Sequence, residues 1–269
     1  MKVPESVRYD PDLDVFYVAN IDGNPSQKDG KAFIAIIPAE SLSVVRTLAE
    51  GGRAGVTLNA PKGMALVGDT LWVADIDVVR GFNRRTGAVV ATVDLAPLGA
   101  TFLNDVATGP QGAVYITDTG IRFEADGSMT QPGPSRIFRL SQRAATEVAR
   151  SDSLRNANGI TWQDTTGVWL LAPFGAPDIQ TWTEGDSLPR RLATGPGQYD
   201  GIEALRDGRI LVSSWADSSV YLITHGTMTK LVSGVSAPAD IGYDLKRGVL
   251  AIPRFNDGKV DFYQLKAGS

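Results

Sequence analysis

Gln198-Tyr199-Asp200-Gly201-Ile202-Glu203 sets an acidic residue and a glycine directly ahead of an apolar-alternating run. Alone, Asp-Gly reads as a turn before a strand. The arrangement recurs, however, with a different polar residue each time. Glu5, Lys62, Asn104, Asn158, Asp200 and Asp240 each open a short apolar run. The period is roughly forty to fifty residues, a spacing that signals stacked or radial repeats. Strongly β-prone runs follow each opening: Val15-Phe16-Tyr17-Val18, Leu71-Trp72-Val73-Ala74, Val114-Tyr115-Ile116-Thr117, Val168-Trp169-Leu170-Leu171, Ile210-Leu211-Val212 and Val249-Leu250-Ala251-Ile252. Two further amphipathic strands complete a unit, as with Val78 to Phe82 and Ala88 to Val93 around the turn Asn83-Arg84-Arg85-Thr86-Gly87. In the first unit the fourth strand is read at Val44 to Leu48.

Six such units with almost no helical periodicity predict an all-β chain. The expected fold is a six-bladed β-propeller of four-stranded antiparallel blades, one domain over residues 1–269. A sandwich needs fewer strands, and a linear solenoid normally has shorter units with distinct caps. The sixth unit offers three strands, because four residues follow Leu265. Either that blade is three-stranded, or a segment preceding the chain completes it. An open edge favours pairing, so a monomer or a weak homodimer is expected.

Twenty-six Lys and Arg against thirty Asp and Glu give a net charge of −4. That gives no reason to expect nucleic acid or an anionic membrane as a partner, and a small-molecule substrate is expected. The chain has no Cys, which removes disulfides, thiolate nucleophiles and Cys-ligated zinc. Its one His, His225, lies in the turn-like Thr224-His225-Gly226-Thr227, so a Ser-His-Asp triad is not expected. No apolar run is long enough to span a bilayer. Met1-Lys2-Val3-Pro4-Glu5 lacks a signal-peptide core, and a processed N-terminus would look the same. The compartment therefore stays open between cytoplasm and export.

In a propeller the first strand of each blade lines the central channel. The six opening residues should then ring one mouth. Loops between second and third strands belong to that face, and three are long: 21–30, 119–135 and 173–178. Three carboxylates and two amides in one ring offer only oxygen, which suits a hard cation. A water-filled channel is the alternative, and the Lys62 ammonium could itself neutralise part of the ring.

At these residues the sequence resembles the regucalcin/gluconolactonase family of six-bladed propellers, which is also similar to diisopropyl-fluorophosphatase and paraoxonase. The resemblance rests on Pro4-Glu5-Ser6, Leu103-Asn104-Asp105-Val106-Ala107, Asn156-Ala157-Asn158-Gly159-Ile160 and Tyr199-Asp200-Gly201-Ile202-Glu203. Ala60-Pro61-Lys62-Gly63-Met64 is similar to a less characterised bacterial branch. The resemblance implies one divalent metal, calcium first, with zinc, magnesium or manganese as alternatives, on Glu5, Asn158 and Asp200. It also implies Asn104 near metal or substrate and Asp200 as general base. Phe102 stands where sugar-lactone members can carry an Arg. The expected activity is metal-dependent opening of a lactone or hydrolysis of an ester. Asp200, Asn104 and Lys62 would be catalytic. Asn104, Asp240, Phe174, Trp215, Arg254 and Phe255 would contact substrate. A non-catalytic propeller with a structural metal is the competing expectation, and a metal-free synthase-like propeller a third.

Overall fold

In the computed structural model, which describes residues 1–43 and 45–265, six antiparallel sheets stand around a channel. Blade 1 is Val3–Asp10, Val15–Ile21, Phe33–Pro38 and Arg46–Glu50. Blade 2 is Pro61–Val67, Thr70–Asp75, Val78–Asn83 and Val89–Asp94. Blade 3 is Leu103–Thr108, Val114–Asp118, Arg136–Ser141 and Ala144–Arg150. Blade 4 is Ala157–Gln163, Val168–Pro173, Asp178–Trp182 and Arg190–Thr194. Blade 5 is Tyr199–Ala204, Ile210–Ser214, Ser219–Thr224 and Thr227–Ser233. Blade 6 has three strands among the described residues, Gly242–Asp244, Val249–Arg254 and Lys259–Gln264. The strand read from Val44 runs instead over Arg46–Glu50, and Val44 lies outside the described residues.

Burial explains the composition of each strand. Second strands are packed on both faces, so Val15–Ile21 and Val114–Asp118 are buried throughout and read as unbroken β-prone runs. Fourth strands meet solvent, and Val89–Asp94 is largely exposed. Apolar clusters fill the spaces between neighbouring blades. Tyr17, Ile34, Met64 and Val73 join blades 1 and 2, and Leu170, Tyr199 and Val212 join blades 4 and 5.

Among the described residues, closure of the ring exchanges no strand. Asp240 donates its N–H to the Glu5 carbonyl at 2.9 Å and accepts from the Val7 N–H at 3.1 Å. On the rim, Arg247 of blade 6 holds Asp14 of blade 1 at 2.5 Å, and Phe262 packs on Phe16 with centroids 5.3 Å apart. His225 occupies an exposed hairpin turn with Gly226, both at positive φ, as the sequence predicts.

Candidate functional site

The opening residues of the repeat share one structural peculiarity. In each of the first five blades the ladder between first and second strand slips there by one residue. Pro4 faces Asn20 and Ser6 faces Ala19, so Glu5 is the extra residue. Ala157 faces Pro173 and Gly159 faces Ala172, which leaves Asn158 extra. Lys62-Gly63, Asn104-Asp105 and Asp200-Gly201 are each set against a single partner residue. A β-bulge bends the strand and re-aims the freed side chain. Here every bulge turns its side chain toward the channel mouth. Hydroxyls on the second strands satisfy the backbone groups that the bulges leave open. Thr117 Oγ1 accepts from Asp105 N at 2.9 Å and donates to the Asn158 carbonyl at 2.6 Å. Ser213 Oγ accepts from Gly201 N at 2.8 Å and donates to the Ala239 carbonyl at 2.9 Å.

Glycine follows in three of these bulges because the next inner strand is in contact. A Cβ on Gly63 would lie 2.5 Å from Asp105 Cα, one on Gly159 2.2 Å from the Asp200 carbonyl oxygen, and one on Gly201 2.3 Å from Ile241 N. The glycine of Asp200-Gly201 is therefore an axis-packing residue inside a strand, and the turn reading of that dipeptide is wrong.

The bulges deliver Glu5, Lys62, Asn104, Asn158 and Asp200 to the floor of one cavity of about 270 Å³. These five are only 1–5% exposed. Phe174, Trp215 and Phe255 line its wall and form a run of ring contacts with centroids 5.8 and 5.2 Å apart. Phe102 and Phe123 add two more rings, 5.6 Å apart.

Two expected substrate contacts lie elsewhere. Asp240 belongs to the ring by sequence but not to the cavity. It sits one layer deeper, where its Oδ2 accepts from Ser6 Oγ at 2.5 Å and its main chain bridges to Ser6. Arg254 is not part of the cavity lining, and its guanidinium pairs with Asp257 and Asp261.

The channel concentrates charge. Burial, then the charge of Asp200, holds the Glu5 carboxyl well above the usual range, against the pull of Lys62. Burial and the charge of Asp240 do the same to Asp200, while the Trp215 indole N–H pulls the other way without completing a hydrogen bond. Burial lowers Lys62 to about 8, against the pull of Glu5 and Asp75. Its ammonium donates to the carbonyls of Ala60 at 2.9 Å and Pro25 at 3.2 Å and stands 4.2 Å from the Phe102 ring centroid. Below this floor, Asp105 Oδ2 accepts from Ile160 N of blade 4 at 2.7 Å. Arg8 spans the channel from the Met64 carbonyl at 2.8 Å to Glu203 at 2.5 Å.

Glu5 Oε2, Asp200 Oδ1 and Asp240 Oδ1 are buried without a hydrogen-bond partner. Orphaned carboxylate oxygens at such a depth require a cation or a proton. Among the described residues no group of three or more His, Cys, Asp or Glu is arranged to hold a metal. The candidate set of Glu5, Asn158 and Asp200 has two carboxylates and one amide. Its all-oxygen chemistry and two orphaned oxygens fit one hard divalent cation.

No family model matches the chain, and no curated protein matches it. Solved structures do. A luciferin-regenerating enzyme aligns with a TM-score of 0.70 at 14% identity, over 97% of this chain and 87% of its own. A calcium-binding protein, regucalcin, from Agrobacterium tumefaciens gives 0.67 at 15%, over 94% and 82%. A provisionally assigned gluconolactonase gives 0.69 at 15%, over 99% and 91%. The chain shares their propeller fold. At these identities the likeness shows the fold alone.

Several wall residues escaped the sequence reading. Ile121, Phe123 and Met129 reach the cavity from a small hairpin, Arg122–Phe123 paired with Met129–Thr130, inside what reads as a loop. Asp126-Gly127 at its tip was the available signal. The span between Arg8 and Glu203 had none, since its partners lie 195 residues apart.

Proposed function

We propose that this chain is a metal-dependent hydrolase that opens a lactone or cleaves an ester. The supporting observation is the pair of buried, unpartnered carboxylate oxygens of Glu5 and Asp200 beside two amides on the floor of a walled cavity. The similarity in fold to a calcium-binding protein, regucalcin, and to a gluconolactonase-type propeller adds weight.

Glu5, Asn158 and Asp200 would hold one divalent cation, with calcium favoured by the hard oxygen donors. That ion would polarise the substrate carbonyl as a Lewis acid. Asp200 accepts a proton from the attacking water. The water oxygen bonds to the carbonyl carbon, the acyl carbon–oxygen bond breaks, and the leaving oxygen takes back the proton that Asp200 accepted. One lactone and one water thus give one hydroxy acid. Asn104 is fixed by its Nδ2 bond to Thr119 Oγ1 at 3.0 Å and, with Asn158, orients the carbonyl. Lys62 supports the developing negative charge from its place over Phe102.

Chelation should abolish turnover, and readdition of one divalent ion should restore it. Asp200→Asn should lower kcat by about 10²–10⁴-fold. Its melting temperature without metal should stay level or rise, because one of the repelling buried carboxylates is gone. A lactone, ester and phosphotriester panel that stays silent in calcium, zinc, magnesium and manganese would sink the enzyme reading. A second reading, a non-catalytic binding propeller, is favoured by Lys62, whose charge lies beside Glu5 where a metal would otherwise be needed. Elemental analysis without metal, together with no heat of binding for any divalent ion, would decide for it.

A further inference from the structure

We infer that the substrate is an apolar lactone carrying an alkyl tail, not a polyhydroxylated sugar lactone. The inference rests on the hydrolase reading for its reaction, and on the wall for its substrate class.

Above the polar floor the wall is five aromatic rings with Ile21, Ile121 and Met129. Its polar capacity is nearly spent. Thr119 Oγ1 donates to the Ala157 carbonyl at 2.9 Å and accepts from Asn104. The Lys62 ammonium has two carbonyl acceptors and the face of Phe102. Among the described wall residues Trp215 Nε1 is the one buried donor without a partner. One donor suits a single carbonyl or ring oxygen. A sugar lactone would bring several hydroxyls, and each left unpaired in such a wall weakens binding by about tenfold.

The hairpin makes this apolar character a built feature. Phe123 and Met129 stand on its two strands, and loop 21–30 of blade 1 holds the hairpin across the mouth. Asn24 Nδ2 donates to the Glu124 carbonyl at 2.9 Å, and Phe123 N donates to Ser26 Oγ at 2.9 Å. Met129 lines the cavity and is also 56% exposed. It marks the rim over which a tail leaves the cavity.

The test compares lactones of one ring size with tails of increasing length against glucono-1,5-lactone, with the activating cation present. We expect kcat/KM to rise about fourfold per methylene until the cavity is full, and the sugar lactone to be opened at least about 100-fold more slowly. Met129→Glu, at an exposed position that tolerates charge, should shrink the gain from the tail. Trp215→Phe, which keeps the ring and removes the N–H, should slow every lactone by a similar factor. A preference for the sugar lactone, or a rate indifferent to tail length, overturns the inference and leaves the hydrolase reading standing. An aromatic ester cleaved faster than every alkyl lactone also overturns it. If no substrate is turned over, the hydrolase reading fails and titration calorimetry with alkyl lactams of the same ring decides the wall. Affinity that tightens with tail length supports an apolar ligand, and no binding at any length overturns it.

Discussion

Gly201 carries more of the architecture than the charged residue beside it. A Cβ there would meet Ile241 N at 2.3 Å and Asp240 Cα at 2.6 Å, both parts of the blade 6 inner segment. Backbone cannot yield as a flexible side chain can. Gly201→Ala should therefore destabilise the fold by about 2–4 kcal/mol, read as a shift of the urea midpoint. A midpoint unchanged within error would mean that the inner strands are not in contact at this point. The sequence shows Asp200 and Gly201 together but not which of the two holds the fold. Asp240 is instructive in the opposite sense. It matches the repeat as well as Asp200 does, yet its sixth-blade strand starts at Gly242, and Ser6 captures it below the cavity floor. A repeat fixes where a residue stands around the axis. Its depth along the axis depends on local register.

Bulges and one hairpin place the site at the level of elements. The blade count, the three-stranded sixth blade and the mouth-side loops were legible, because period-two patterning and turn residues are local properties of sequence. Bulges were not legible, since a ladder slip is a relation between two strands and leaves no mark in either alone. The hairpin of blade 3 was half legible, for its Asp126-Gly127 turn is visible but its flanking strands are only two residues each. Its anchorage on blade 1 joins residues about a hundred apart. Paired Asn24→Ala and Ser26→Ala changes should release the hairpin and leave the blades folded. Limited proteolysis should then cut within 124–128 several-fold faster, with an unchanged global melting temperature. Equal cutting in variant and parent would show that the hairpin is held by its apolar side chains alone.

Over the whole molecule, the channel is a column of charge. Glu5, Asp105, Asp200, Glu203 and Asp240 face Lys62 and Arg8, and burial is the largest cause raising each of the five carboxyls. Glu203 reaches about 7, burial outweighing the pull of Arg8. The folded state then keeps this proton up to about pH 7, while the unfolded chain releases it near pH 4–5. Between those values the folded state binds more protons, so stability falls as pH rises, and the full cost stands above about pH 7. Glu203→Gln should flatten that slope between pH 5 and roughly pH 7 while keeping an acceptor for Arg8. Calorimetric melts across that range check it, and an unaltered slope would show that the pair with Arg8 keeps Glu203 ionised throughout.

The bulges have one more consequence. In the first five blades the extra residue serves no rung of the ladder, whereas the residue after it is fixed by contact with the next inner strand. Chemistry and architecture are thus written at alternate positions of the same short segments. A library randomised at Glu5, Lys62, Asn104 and Asn158 should remain mostly soluble and folded, while one shifted by a single residue, to Ser6, Gly63, Asp105 and Gly159, should not. The mouth of this propeller is a set of interchangeable sockets, open to new reactions at little risk to the ring that carries them.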